Sequence, residues 1–176
     1  MEADEAELKL ATIGQDGSDL LIETPTLSVA GLDHMLYRLR AHGYRIILAH
    51  PERSPQFQRD LGPLRELVDQ GVLLQVNADS LLARSRTSGP AALAERLCRE
   101  GLAHVLAGDA HRGSEWRPVT QLGEAVELAG ALIGAERARW LARETPAGIL
   151  AGEPLGDPPP ISSGSRRPRR RLFRRR

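Results

Sequence analysis

With 176 residues, 41% of them apolar and only one a cysteine, the chain can bury one sizeable core but excludes a disulfide framework or a CxxC metal knuckle. No apolar run reaches the roughly 20 residues of a membrane-crossing helix, and the acidic start MEADEAELKL lacks a secretory pattern, so a cytoplasmic protein is expected. The net charge of +1 hides a segregation: residues 166–176, RRPRRRLFRRR, hold eight arginines, and the rest carries 16 basic against 23 acidic residues.

In chain order, the first apolar run is LLIETP at 20–25, ending in Glu23 and Pro25. Leu32, Met35, Leu36 and Leu39 then form one helical face, closed by Gly43. The run YRIILAHPE follows, after which Pro63 opens a helix with Leu64, Leu67 and Val68 on one face and Gly71 closes it. GVLLQVNA at 71–78 is the third run, followed by the turn-rich RSRTSGP. A helix carrying Leu93 and Leu97 stops at Gly101, and LAHVLAGDAH at 102–111 is the fourth run. Two helices are expected over about 118–133 and 135–143, then a short one capped by Thr145 and started by Pro146. Strand, helix, glycine, strand at intervals of about 25–30 residues marks consecutive βα units. Runs apolar on both faces suit a parallel sheet covered by helices. The composition places the folded body at 1–156 and a disordered Pro/Arg-rich tail at 157–176.

Polar residues fall at the ends of these runs: Glu23, then His50, then Asn77, then Asp109 with His111. In barrels of parallel strands the carboxyl ends converge on one mouth, where active sites are built. Two histidines, a glutamate and an aspartate there make a mixed nitrogen and oxygen set, suited to manganese, iron or zinc rather than calcium. Alone, each has an ordinary structural explanation, as a helix cap, a hydrogen-bonded structural histidine or a surface residue. Together, at successive strand ends, they point to a metal site. Arg53 and Arg117 lie three and six residues beyond His50 and His111, and their planar forks match phosphate. His34, His42 and His104 receive no role, and Cys98 reads as a small core residue.

LLIETP, GYRIILAHPER, GVLLQVNADSLL, GLAHVLAGDAH with Arg117-Pro118 beyond it, and TPAGILAG, in this order, resemble the bacterial capsule-cluster protein-tyrosine phosphatases. These belong to the polymerase and histidinol phosphatase (PHP) superfamily, and the resemblance covers about residues 12–152. It implies an α/β fold, a partial (β/α)7 distorted TIM-like barrel of parallel strands with outer helices. It implies two or three divalent metals, usually manganese, with iron, zinc or magnesium as alternatives. Glu23 then resembles a metal-bridging carboxylate, and His50, Asp109 and His111 resemble metal ligands. Arg53 and Arg117 resemble the phosphate-binding arginines. The implied reaction is hydrolysis of protein phosphotyrosine by metal-activated water, on an autophosphorylating bacterial tyrosine kinase that controls capsule and exopolysaccharide export.

Gly108 stands where the family usually has serine, and nothing before Glu23 matches the family's initial His-x-His. The expectation is an N-terminally truncated phosphatase domain with little activity alone and a tendency to self-associate through exposed sheet edges. Two other readings stand beside it. One is a histidinol-phosphatase-like or other small-molecule phosphatase. The other is a noncatalytic fragment whose arginine-rich tail binds nucleic acid or an anionic membrane.

Overall fold

The computed structural model describes residues 5–14, 17–83, 89–111 and 120–162. After helix α1 (Glu5–Ala11), strand β1 (Asp19–Glu23) leads to α2 (Leu32–Ala41) and β2 (Arg45–Ala49). A single 3-10 turn (Pro51–Arg53) then precedes α3 (Pro55–Arg59) and α4 (Gly62–Asp69). Strand β3 (Leu73–Asn77) runs straight into α5 (Ala78–Leu82), and α6 (Gly89–Arg99) leads to β4 (Val105–Ala107). Helices α7 (Gln121–Ile133) and α8 (Ala135–Arg139) follow, then a π-helical turn (Trp140–Glu144) and α9 (Thr145–Leu150).

The rhythm of strand, helix and glycine has one local cause, repeated three times. At the end of α4, Gly71 takes φ 90° and its N–H bonds the Val68 carbonyl, while the Val72 N–H reaches back to Leu67. This pair of bonds is the Schellman stop, which needs a left-handed residue and so favours glycine. Gly43 and Gly101 repeat the pattern, with Tyr44 bonding Leu39 and Leu102 bonding Leu97. Each stop turns the chain into the next strand.

The four strands form one parallel sheet in the order β1-β2-β3-β4. Sequential order without a reversal is that of a barrel wall; a doubly wound sheet switches direction. The register aligns Leu20 with Ile46, Leu48 with Leu74 and Val76 with Leu106, putting these apolar residues on one face. That face packs against Leu32 and Leu36 of α2, Leu64 and Leu67 of α4, and Leu93, Leu97 and Cys98 of α6. On the opposite face, Ile47, Leu73 and Val105 pack with Ile149 of α9, flanked by Ile13 and Leu155. Glu23, Gln75 and Asn77 alternate onto this second face, at its carboxyl end.

Four expectations need correction. Met35 is 41% exposed, because Leu32, Leu36 and Leu39 make the stripe and Met35 lies on its flank. Strand β1 is not covered on both faces, since Leu21 is 51% exposed on a strand whose one partner among the described residues is β2. Thr145 is no cap: α8, the π turn and α9 run on as one helical stretch, and its hydroxyl is buried without a partner among the described residues. Residues 157–162, read as the start of the tail, run against the body, with Ser162 N–H bonding the Ile133 carbonyl. The arginine-rich stretch 166–176 lies outside the described residues. No helix among those described is long and apolar enough to cross a membrane.

Candidate functional site

Parallel register brings the strand exits together. Glu23 pairs with Ala49, so His50, one residue on, lies beside it: His50 Nε2 is 3.5 Å from Glu23 Oε1. The backbone N–H of His50 bonds the Gln75 carbonyl at 2.9 Å, tying the β2 exit to β3. The imidazole is buried while the Glu23 side chain is 79% exposed, so the pair sits at the rim with its nitrogen inside and its carboxylate outside. His50 Nδ1 is buried with no hydrogen-bond partner among the described residues, and Nε2 is the nitrogen turned toward the Glu23 carboxylate.

Across the sheet, the Asn77 side chain donates Nδ2–H to Asp109 Oδ2 at 2.8 Å. His111 curls back, its Nδ1 lying 2.8 Å from the Asp109 carbonyl and 4.0 Å from Asp109 Oδ1, with its ring exposed. Arg53, on the 3-10 turn after His50, donates to Asp79 Oδ2 at 2.7 Å, and Asp79 Oδ1 accepts the Ser80 N–H. One terminal nitrogen of Arg53 is thereby engaged. Arg117 lies outside the described residues.

His50 (φ 39°) and Asp109 (φ 48°) are the positive-φ non-glycine residues of the described chain. A side chain in that region is strained, and such strain gathers at functional sites. Glu52, between His50 and Arg53, is fully buried; burial raises its carboxyl pKa to about 7, although the Asn77 N–H donates to its Oε1 at 3.1 Å. Sequence reasoning missed Glu52, Gln75 and Asp79 and left Asn77 without a role. A charged residue inside the exit of an apolar run was the available signal for Glu52.

The sheet therefore assembles two imidazole–carboxylate pairs, Glu23 with His50 and Asp109 with His111. Their chemistry fits a borderline transition metal. Among the described residues, no three of His, Cys, Asp and Glu gather closely enough to hold one.

A parallel sheet in barrel order, with acid, imidazole and arginine at its carboxyl rim, defines an α/β protein of the barrel class with a charged mouth. The chain belongs to the CpsB/CapC family of capsular polysaccharide synthesis, whose sequence pattern matches residues 4–151. It is 38% identical over 93 residues to the putative tyrosine-protein phosphatase CapC of Staphylococcus aureus, covering 52% of this chain and 36% of that protein. It is 32% identical over 112 residues to the tyrosine-protein phosphatase YwqE of Bacillus subtilis (strain 168), covering 63% of this chain and 43% of YwqE. The chain thus spans less than half the length of these relatives. Its fold matches a chain from the crystal structures of YwqE from Bacillus subtilis and CpsB from Streptococcus pneumoniae, described as unique metal-dependent tyrosine phosphatases. There the TM-score is 0.71 at 26% identity, covering 92% of this chain and 66% of the other.

Proposed function

We propose that the chain is a metal-dependent phosphatase domain that hydrolyses protein phosphotyrosine in capsule synthesis, its folded body running through residue 162 and the arginine-rich stretch beyond serving as a tail. Manganese is the proposed metal, the cytoplasm the proposed compartment, and an autophosphorylating tyrosine kinase the proposed substrate. The observation that carries this reading is the 3.5 Å approach of His50 Nε2 to Glu23 Oε1, with a second imidazole–carboxylate pair, Asp109 and His111, at the exit of β4. The named activities of the family relatives support it.

In this reading Glu23 and His50 would supply one carboxylate and one imidazole to a metal, and Asp109 and His111 a second such pair. A divalent metal bound there lowers the pKa of water and offsets charge building on phosphorus. Arg53, oriented by Asp79, grips the phosphoryl oxygens and keeps their geometry as the tyrosyl oxygen leaves. Arg117 is proposed as a second phosphate contact. Because the described donors come in pairs, turnover by this chain is expected to be low.

The test is release of inorganic phosphate from a phosphotyrosyl peptide with added manganese. Release should be lost with EDTA and fall by about 100-fold or more in His50→Ala and in Arg53→Ala. Hydrolysis indifferent to both substitutions would overturn the assignment. Faster hydrolysis of histidinol phosphate than of the peptide would move the reading to a small-molecule phosphatase.

A further inference from the structure

The sheet has a second charged end, away from the rim. Arg45, the first residue of β2, donates to the Glu153 carbonyl at 2.7 Å, which sets the segment after α9 against the amino end of the strands. Between that segment, the π turn and α9 lies a cavity of about 500 Å³, a size ordinary for a ligand pocket. Its charged lining is Glu144, Glu153 and Asp157, all carboxylates, beside the apolar Trp140 and Leu155. Arg139 donates to Glu144 Oε1 at 2.9 Å, which leaves more negative than positive charge around the cavity. Thr145 lines it too; that residue is 1% exposed, and its hydroxyl has no hydrogen-bond partner among the described residues. A buried hydroxyl in that state is costly, and a donor entering the cavity would relieve it.

Carboxylates call for a cation, an acceptor hydroxyl for an N–H donor, and an apolar wall for a long aliphatic stem. Arginine carries all three. The chain supplies such residues close by. Its body carries 16 basic against 23 acidic residues while 166–176 hold eight arginines, so the two attract. The path is short as well. Ser162 is tied to the Ile133 carbonyl, and Ser163-Gly164-Ser165 span roughly 10 Å when extended. The helical stretch from Ala135 to Glu144 advances about 14 Å, within reach of the arginines that follow.

We propose that this cavity is a guanidinium site, occupied by arginines of the chain's own 166–176 stretch. Held there, the stretch lies at the opposite end of the sheet from Glu23 and His50 and leaves the rim open. Nothing in this contact depends on a metal.

The test places a nitroxide on Phe173→Cys of the full chain, which keeps all eight arginines; Cys98 is buried and does not compete for the label. Amide NMR signals of residues 140–157 should lose intensity relative to the reduced label, beyond any loss elsewhere in the body. Glu144→Gln, Glu153→Gln and Asp157→Asn together should restore them. All three carboxylates are exposed, so the triple variant is expected to fold. If it does not, salt reads the same contact: the loss should fade between about 0.1 M and about 1 M, as the screening length shrinks from about 10 Å to about 3 Å. Loss spread evenly over the body, or unchanged in the triple variant, overturns the proposal, as does loss that persists at high salt when the variant does not fold. A nitroxide chain mixed with an isotope-labelled chain lacking the nitroxide separates the two sources of arginine. Loss at 140–157 in that mixture assigns the cavity to a second copy and overturns the proposal; no loss there supports the stretch of the same chain.

Discussion

His104 shows how much a single side chain depends on its surroundings. It falls within a run read from sequence as strand, and nothing in the local pattern gives it a task. In the fold it sits just before β4, where its backbone N–H bonds the Leu74 carbonyl and its Nδ1 accepts the Leu74 N–H at 3.2 Å. Its ring tilts against Trp140, with centroids 6.3 Å apart. Burial, helped by the nearby Arg137 charge, lowers its pKa to about 4, because an imidazolium there would lose solvation and its acceptor nitrogen. The folded pKa is below the unfolded value, so the unfolded chain binds the extra proton first. The stabilisation is therefore complete above pH 6.5 and is lost as pH falls toward 4. Urea unfolding at pH 7.5 and pH 5 should differ by about 1–2 kcal/mol more in the parent than in His104→Asn, after allowance for partial exposure. Equal pH dependence in the two would refute the assignment. At the rim, His50 and Asp109 were legible as chemistry, being polar residues where apolar runs end. Their left-handed backbone was not, since residue type alone does not set φ.

Elements were legible in proportion to their length and periodicity. Helices α2, α4, α6 and α7 carry apolar stripes at helical spacing, and three of them end on glycines whose stop motif is local. Helices α3 and α5, five residues each, are too short for a stripe to show, and α5 follows β3 without a turn. The π turn at Trp140–Glu144 leaves no signature in residue type. Where a stripe is ambiguous at its edge, packing decides. Leu36 is buried against the sheet core and Met35 is not. Leu36→Ala should cost about 2–4 kcal/mol in chemical unfolding and Met35→Ala less than about 0.5 kcal/mol. Similar costs for both would mean that α2 is rotated from the position described.

At the scale of the whole molecule, the two ends of the described body are tied to its middle by arginines. Arg45 pairs with the buried Asp19 and donates to the Glu153 carbonyl at 2.7 Å. Arg137, itself buried, donates to the carbonyls of Pro159 at 3.0 Å and Gly101 at 3.1 Å, and its guanidinium lies 4.8 Å over the Trp140 ring. Composition alone made 157–162 part of a loose tail, because three consecutive prolines fill it and the anchoring residues lie more than 20 positions away. Arg137→Ala should cost about 2–4 kcal/mol, since two carbonyls lose a charged donor and the ring loses its cation. The same variant should speed amide exchange at 157–162; exchange there equal to the parent would mean the clamp does not hold that segment.

By itself the sequence determined the class of fold, the order of its βα units and the residue types at the strand exits. Those properties are written in periodicity, in glycine stops and in where apolar runs end, all within a few residues of one another. Tertiary structure alone decided that Glu23 meets His50, that Asn77 reaches Asp109, that the buried Glu52 accepts the Asn77 N–H and that Arg137 holds the end of the body. Each of these depends on strand register or on helix packing, which brings together residues 20 or more positions apart. No local pattern carries that information.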